Sequence, residues 1–226
     1  MFNNLFNFGS LETFLMRALL IVVPALICIT FHELAHGYTA YRLGDRTAKD
    51  MGRLTLNPIK HIDPIGLIML LIFRFGWAKP VPFNMNNFRS PRLYMAITAF
   101  AGPLSNIILA IFVMFIYGLV FDALGGIYAQ GPGAMLHEMI QNTVYISIAL
   151  AVFNLIPIPP LDGSKVLLSL LPEETSYKVM RYERYGIILL IIVLNTAVFR
   201  NTIGRLTGTL FSGFLVVLEA SYRLVN

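Results

Sequence analysis

An apolar segment that leads directly into a polar motif is the feature that most restricts how this chain can fold. Residues 19–30 carry almost only apolar side chains, and the next six residues read Phe-His-Glu-Leu-Ala-His. One helix from Leu11 to about Leu43 would be apolar as far as Thr30. Such a helix is long enough to cross a bilayer, which takes about 20 residues. The sequence therefore predicts a membrane-spanning helix that carries ionisable groups near one end.

The composition also indicates a membrane protein. Hydrophobic residues make up 57% and charged residues 13% of the chain, whereas soluble domains average about 25% charged residues. The mean hydropathy is +0.71. The net charge of +5 does not indicate a nucleic-acid partner, because the basic residues flank apolar runs as they do in membrane proteins. A single cysteine excludes an intrachain disulfide framework.

Four further apolar segments resemble membrane spans. With the first helix they predict an all-α polytopic membrane protein with about five transmembrane helices. We expect one integral-membrane domain over residues 1–226, with a core at about 11–170 and a C-terminal helical pair at about 185–222. A short turn with Arg200 and Arg205 should separate the two helices of that pair. The four segments are Leu93–Phe121, Met139–Ile156, about Tyr185–Phe199 and Ile203–Tyr222.

The segment Ile62–Trp77 contains only a short apolar run, Ile65–Phe73. This run is below spanning length and in the range of re-entrant or interfacial segments. Basic residues lie on both sides of it, so we expect both of its ends on one side of the membrane. We predict a short re-entrant or membrane-edge hairpin segment, with a full span as the alternative. An extended edge in this segment would also offer a pairing partner for a substrate strand.

The basic residues predict an orientation. Of the 17 lysines and arginines, nine lie between Arg42 and Arg92, four between Lys165 and Arg184, and one is Arg223. The loop from Asp122 to His137 contains none. Because basic loops stay in the cytoplasm, we expect a multi-pass protein of the cell membrane with its N-terminus outside and its C-terminus cytoplasmic. The first residues lack a basic region and a cleavage site, so no removable signal peptide is expected.

The polar motif after the first apolar run has the H-E-x-x-H spacing of zinc hydrolases. His32 and His36 are one helical turn apart, so both imidazoles can reach one metal ion. Glu33 is the neighbouring residue and can take a proton from an attacking water molecule. Ionisable groups are costly within a membrane and usually functional there. The spacing therefore predicts a metal site with Glu33 as its general base.

A catalytic zinc needs a third protein ligand and an open position, and four residues are candidates for that ligand. Cys28 lies eight residues before His36, about 12 Å along a helix, so a straight helix cannot bring both to one ion. His137 falls in the loop predicted on the opposite side. His61 lies on the same side as the motif and stays open as an accessory ligand. Asp162 is preferred, because the prolines before it break the backbone at a depth where irregular chain lines a cavity.

Three groups of residues together resemble the site-2 protease family of intramembrane zinc metalloproteases. They are His32–His36, Gly102-Pro103 with Asn106, and Asn154–Gly163, which matches the pattern N-x-x-P-x-x-x-L-D-G. With residues 57–66, the resemblance covers about residues 20–170. The chain is most similar to compact bacterial members without a PDZ or CBS domain.

The resemblance implies a function and a ligand set. His32, His36 and Asp162 would hold one Zn²⁺ per chain, and Glu33 would be the catalytic base. The expected reaction is hydrolysis of a peptide bond in a membrane-embedded protein substrate near the cytoplasmic side. The expected partners are a transmembrane protein substrate and the lipid bilayer, with no nucleic acid, and a homo-oligomer stays open.

Two asparagines are further candidates. Asn154 and Asn106 could each hydrogen-bond the substrate backbone or the oxyanion of the tetrahedral intermediate. Each could equally form a hydrogen bond between helices. The sequence alone does not decide between these two roles.

Two alternative functions remain at this point. The first is an integral-membrane metalloprotease of another type, in which a glutamate is the third ligand. The glutamates after the motif are Glu138, Glu173, Glu174, Glu183 and Glu219. The second alternative is a non-proteolytic membrane metal-binding or transport protein. A transporter should show paired, discontinuous halves, and this sequence shows no internal duplication.

Overall fold

A computed structural model of the chain describes residues 11–73, 78–181 and 183–225. Within these ranges the regular structure is helical, apart from one isolated antiparallel bridge between Ile62 and Ala78. The α-helices of the described residues are α1 (Leu11–Arg42), α2 (Thr47–Asp50), α3 (Pro64–Phe73), α4 (Pro91–Val120), α5 (Pro132–Asn154), α6 (Asp162–Leu170), α7 (Glu173–Arg181), α8 (Glu183–Leu194) and α9 (Ala197–Tyr222). Short 3-10 helices lie at Pro58–His61, Met85–Asn87, Asp122–Leu124 and Gly126–Tyr128.

Three of the described helices are long and apolar enough to cross a membrane. They are the Leu15–Arg42 part of α1, α4, and α9. The other two predicted spans correspond to α5 and α8. Helix α5 has 23 residues and contains buried polar side chains such as Asn142 and Ser147, and α8 is a shorter apolar helix. The chain is therefore an all-α, multi-pass membrane protein.

Helix α4 is central to the fold, because it packs against α1, α5, α6 and α9. Its residues Ala110, Met114 and Tyr117 form a buried cluster with Val144 and Ile148 of α5. Helices α1 and α9 cover further faces of α5. This arrangement encloses α5 between longer helices, which explains why a helix with several polar residues can lie in the bundle.

The exposure of side chains along α4 fits a lipid environment. Ile108 and Phe112 are largely exposed, whereas Thr98 and Asn106 are fully buried. A soluble protein would place such polar groups outside and such apolar groups inside. In a membrane the polar side chains of a spanning helix face the interior of the bundle and not the lipid.

The boundary between the last two helices differs from the prediction. The expected turn at Arg200 to Arg205 lies inside α9, and the actual break falls at Asn195 and Thr196. The Thr196 hydroxyl accepts a hydrogen bond from the N–H of Phe199 and so caps the start of α9. The prediction was wrong because basic residues were read as a turn although a threonine cap specifies the helix start.

The segment that was predicted to be re-entrant does not span. Helix α3 has 10 residues and is therefore about 15 Å long, roughly half the thickness of a hydrocarbon core. The bridge between Ile62 and Ala78 brings the residues before and after α3 close together. Residues 74–77 lie outside the described ranges. The suggested strand edge is wrong for residues 64–73, because a helix uses its own backbone N–H groups.

A buried aspartate joins the end of α1 to a distant loop. Asp45 is fully buried. Its carboxylate accepts hydrogen bonds from the hydroxyl of Thr47 (2.6 Å), the side chain of Asn87 (2.6 Å) and the backbone N–H of Asn84 (2.6 Å). Burial by itself would raise the pKa of Asp45, but these hydrogen bonds outweigh it and hold the pKa below its usual range.

This carboxylate should make stability depend on pH. The pKa of Asp45 in the folded state is lowered from an unfolded value of about 3.9, so the ionised group stabilises the fold above that pH. The contribution is lost as the pH falls through the folded-state pKa. We expect Asp45→Asn to lower the free energy of unfolding at pH 7 by roughly 1–3 kcal/mol, since buried donors lose their acceptor.

Thermal unfolding in detergent at a series of pH values checks this prediction. The melting temperatures of the wild type and Asp45→Asn should differ at pH 7 and converge below about pH 4. Asp50→Asn is the matched control, because Asp50 makes only an exposed ion pair with Arg46 at 3.7 Å, and such pairs contribute little. Equal melting temperatures for the wild type and Asp45→Asn at pH 7 would contradict the assignment.

Candidate metal centre

Helix α1 presents two imidazoles to one point. His32 and His36 are both buried, their ring centroids are 4.6 Å apart, and the rings are nearly perpendicular. Their Nε2 atoms lie 3.1 Å from each other. The helical spacing of four residues produces this approach, because residues i and i+4 share one face.

A third ligand atom comes from a distant part of the chain. Asp162 is the first residue of α6 and its Oδ2 lies 3.1 Å from the Nε2 of both His32 and His36. Gly163 allows this placement. A Cβ there would overlap the backbone carbonyl of Leu155, just beyond the end of α5. The start of α6 can therefore pack directly on the end of α5, which carries Asp162 to the imidazoles.

One face of α4 supports the two imidazoles from behind. The Nδ1 of His36 donates a hydrogen bond to the backbone carbonyl of Thr98 at 2.7 Å. The amide of Asn106 lies 3.2 Å from the Nδ1 of His32. Between them, a Cβ at Gly102 would overlap His36 and lie 2.8 Å from His32. Residues 98, 102 and 106 are each four positions apart, so they share one face of α4. His32 and His36 have the same spacing on α1.

The three ligand atoms fit a cation. Because Nδ1 of His36 donates to Thr98, a neutral imidazole turns the lone pair of its Nε2 toward the other two atoms. If both imidazoles are neutral and carry their protons on Nδ1, two Nε2 lone pairs and a carboxylate face one another at this distance, and a cation between them removes the repulsion. Ligand atoms about 2.0–2.1 Å from a tetrahedral zinc lie about 3.3 Å apart, close to the 3.1 Å separations found here.

The unpaired oxygen of Asn106 points to the same conclusion. An imidazole that binds a metal through Nε2 carries its proton on Nδ1 and needs an acceptor there. The Oδ1 of Asn106 is buried without a hydrogen-bond partner. Because amide O and N are interchangeable by a half-turn of the group, Asn106 can supply that acceptor to His32. The surroundings of both imidazoles thus leave Nε2 free for an ion.

The charge of Asp162 suits a ligand. Burial alone would raise the pKa of Asp162, but hydrogen bonds from protonated His32 and His36 and their positive charge hold that pKa well below its usual range. A cation bound among the three side chains would favour the ionised carboxylate in the same way. Its other oxygen, Oδ1, lies 3.6 Å from the ammonium of Lys165, one turn further along α6.

The other candidate ligands lie elsewhere. The thiol of Cys28 donates to the carbonyl of Thr143. The Nε2 of His61 is 2.9 Å from the carbonyl of Thr55, and the Nδ1 of His137 is 2.6 Å from the hydroxyl of Tyr117. Among the described residues, three potential metal ligands come together in one group, which consists of His32, His36 and Asp162. Of the glutamates, Glu138, Glu174 and Glu219 are outside this group, and the side chains of Glu173 and Glu183 are outside the described set.

The two asparagines differ in their surroundings. Asn106 is fully buried behind His32. Asn154 is half-buried at the end of α5 and donates to the carbonyl of Leu150 in its own helix. Glu33 is also half-buried, and its Oε2 accepts a hydrogen bond from the backbone N–H of Val81 at 2.7 Å.

Several residues around the site were not singled out from the sequence. Thr98 acts through its backbone carbonyl, so its side chain gave no signal. Gly102 was named only as part of a motif of the resemblance, and its spacing to Asn106, which matches that of His32 to His36, was not used. Val81 lies between two prolines, and that pattern marks an isolated backbone donor.

Comparison with known proteins identifies relatives over most of the chain. The sequence model described as Peptidase family M50 matches residues 122–197, which include Asp162. A Bacillus subtilis protein described as a putative zinc metalloprotease, YwhC, is 41% identical over 176 residues, which are 78% of this chain and 80% of that protein. No solved structure matches the chain.

Two more distant relatives have the same description. The Rip2 protein of Mycolicibacterium smegmatis is 28% identical over 79% of this chain and 67% of its own length. The MJ0611 protein of Methanocaldococcus jannaschii is 32% identical over 66% of this chain and 72% of its own length. The family resemblance of the sequence motifs is thus confirmed by similarity over most of the chain. The chain belongs to peptidase family M50, the site-2 protease family, and is a zinc metalloprotease.

Proposed function

We propose that this protein is an intramembrane zinc endopeptidase that cuts membrane-embedded protein substrates near the cytoplasmic side. The observation that supports this most strongly is the convergence of His32, His36 and Asp162 inside a bundle of membrane-spanning helices. Two imidazoles and one carboxylate form a donor set found in catalytic zinc sites, which leave a fourth position for water and substrate. In this proposal these three residues are the zinc ligands.

In this proposal the zinc ion and the side chain of Glu33 contribute different parts of the reaction. Zinc, when bound, polarises the scissile carbonyl and makes water acidic enough to react near neutral pH. Glu33 accepts the proton of the attacking water and passes it to the leaving amine. Its place on α1, directly after His32, keeps the carboxylate beside the ligands throughout the reaction.

The supporting residues hold the ligands in orientation. Asn106 is too deeply buried to be favoured as a substrate contact, and its position behind His32 supports a role in fixing the tautomer of that imidazole. The backbone carbonyl of Thr98 does the same for His36. Asn154, which is half-buried at the end of α5, stays a candidate for contact with the substrate.

The location of the site supports a membrane substrate. The motif lies toward the C-terminal end of α1, a helix that is long and apolar enough to span. A water-requiring reaction in this place serves substrates that are themselves within or beside the membrane. The substrate must be locally extended at the cleaved bond, because a helix covers its amides with its own hydrogen bonds.

Glu33→Gln tests the role of the base. We expect cleavage of a panel of membrane substrates in proteoliposomes to fall by about 10²–10⁴-fold, the usual contribution of a general base, while bound zinc is unchanged. Zinc content is measured by mass spectrometry on the same samples. Cleavage at the wild-type rate by Glu33→Gln would overturn the assignment of Glu33 as the general base.

Asp162→Ala tests the ligand set. Removal of one of three ligands should lower zinc affinity by more than the roughly 10–100-fold lost on mutation of an outer-shell partner. His61→Ala is the matched control, because His61 is also a buried histidine but lies outside the cluster. If Asp162→Ala bound zinc with wild-type affinity and His61→Ala did not, the third ligand would be His61 and not Asp162.

The orientation belongs to the same proposal. Basic residues concentrate between Arg42 and Arg92 and between Lys165 and Arg184, which supports a cytoplasmic placement of these two segments. A topology reporter fused after Asp122 should then read as non-cytoplasmic, and one fused after Lys49 as cytoplasmic. The reverse pattern would place the site near the other side of the membrane.

A further inference from the structure

The general base of the proposed reaction is held by a backbone group from a distant segment. The Oε2 of Glu33 accepts a hydrogen bond from the N–H of Val81 at 2.7 Å. Val81 belongs to the stretch Lys79–Pro82, called here the strap, which has neither helix nor strand structure. The strap follows directly after Ala78, the residue that pairs with Ile62.

The sequence of the strap leaves a single backbone N–H group between its two prolines as a hydrogen-bond donor. It reads Lys-Pro-Val-Pro. Pro80 and Pro82 have no N–H, so Val81 carries the only backbone donor between them. Each residue that precedes a proline is restricted to extended conformations, so this shape costs little conformational entropy. The two prolines thus isolate one N–H group and limit its direction.

The strap lies close against α1. Val81 is buried, and a Cβ at Gly37 would lie 2.8 Å from its Cγ1. A larger residue at 37 would push the strap away from the helix. Gly37 is four residues after Glu33, so the contact and the hydrogen bond lie on the same face of α1.

Several contacts fix the strap on both sides of Val81. The guanidinium of Arg53, a buried residue, donates to the carbonyls of Lys79 (2.8 Å) and Pro80 (3.3 Å). The N–H of Lys79 donates to the carbonyl of His61 at 3.0 Å. After the strap, Asp45 binds the N–H of Asn84. The position of the Val81 donor is therefore determined from both directions.

These contacts also argue against the strap as a docking edge for a substrate strand. A strand template needs free backbone donors and acceptors along one edge. Here Arg53 occupies two consecutive carbonyls, and the prolines offer no donors. The strap is suited to hold a group in place.

We propose that the N–H of Val81 is a positioning group for Glu33, and that Arg53 is the residue that holds the strap in place. This inference rests on the proposed role of Glu33 as the base. A glutamate side chain has several rotatable bonds, and a fixed donor on one carboxylate oxygen selects one arrangement of them. The other carboxylate oxygen of Glu33 then accepts the proton, and this oxygen has a fixed direction relative to His32 and His36.

Val81→Pro removes this single donor and retains an extended backbone. We expect kcat for a transmembrane substrate to fall about 10–100-fold, the rate equivalent of losing a hydrogen bond to a charged group. KM and bound zinc should change less than about twofold. Val81→Ala keeps the N–H and should recover kcat to at least about tenfold above that of Val81→Pro.

Arg53 provides a second, independent variant in case Val81→Pro does not fold. Arg53→Met removes both hydrogen bonds to the strap and should lower kcat in the same way, with zinc retained. Arg53→Lys can reach one carbonyl and should recover part of the loss. If all folded variants of Val81 and Arg53 kept the wild-type kcat, the inference would be wrong.

A spectroscopic measurement tests the hydrogen bond without any reference to activity. In protein labelled with ¹⁵N-valine, the Val81 amide signal is identified by its disappearance in Val81→Ala. An amide proton that binds a carboxylate should resonate downfield, and Glu33→Gln should move it upfield. A Val81 signal that does not respond to Glu33→Gln would overturn the inference.

The two proposals fail in different ways. If Glu33→Gln abolishes cleavage and Val81→Pro leaves kcat unchanged, the base assignment stands and the positioning role is wrong. If Glu33→Gln cleaves as well as the wild type, the base assignment itself fails, and the positioning role fails with it, whatever the Val81 signal does.

Discussion

Two imidazole nitrogens and one carboxylate oxygen meet inside an apolar helical bundle, and a cation bound among them would stabilise this arrangement. The three atoms lie 3.1 Å apart in pairs. Their surroundings are shaped to allow this. Gly102 keeps α4 clear of both rings, and Gly163 lets α6 begin against the end of α5. Small residues at these two places thus permit a charged site in a setting that otherwise excludes charge.

A large part of this site could be predicted from the sequence, because its chemistry depends on residue types at fixed spacings. The spacing of His32 and His36 is a property of one helix, so it can be read without knowledge of the fold. Asp162 was selected because prolines break the backbone before it and because its motif resembles a known family. The structure brings it to the imidazoles, and the ligand set stays a prediction until metal binding is measured.

The features that the sequence did not reveal act through the backbone or depend on tertiary approach. The carbonyl of Thr98 and the N–H of Val81 are groups that every ordinary residue has, so side-chain chemistry could not mark them. The start of α9 at Ala197 was missed because a threonine cap outweighed the basic residues that follow. The helical state of residues 64–73 was missed because a short apolar run has no periodicity that separates helix from strand.

The distance in sequence between the ligands has a consequence for biosynthesis. His32 and Asp162 are 130 residues apart, and ribosomes add about 5–20 residues per second. The first helix is therefore made roughly 6–26 s before the third ligand exists. During that interval the chain has two histidines and a glutamate but not the full ligand set of the proposed site. A protease assembled in this order would stay inactive while it is inserted, and would gain the ability to cut only when its bundle closes.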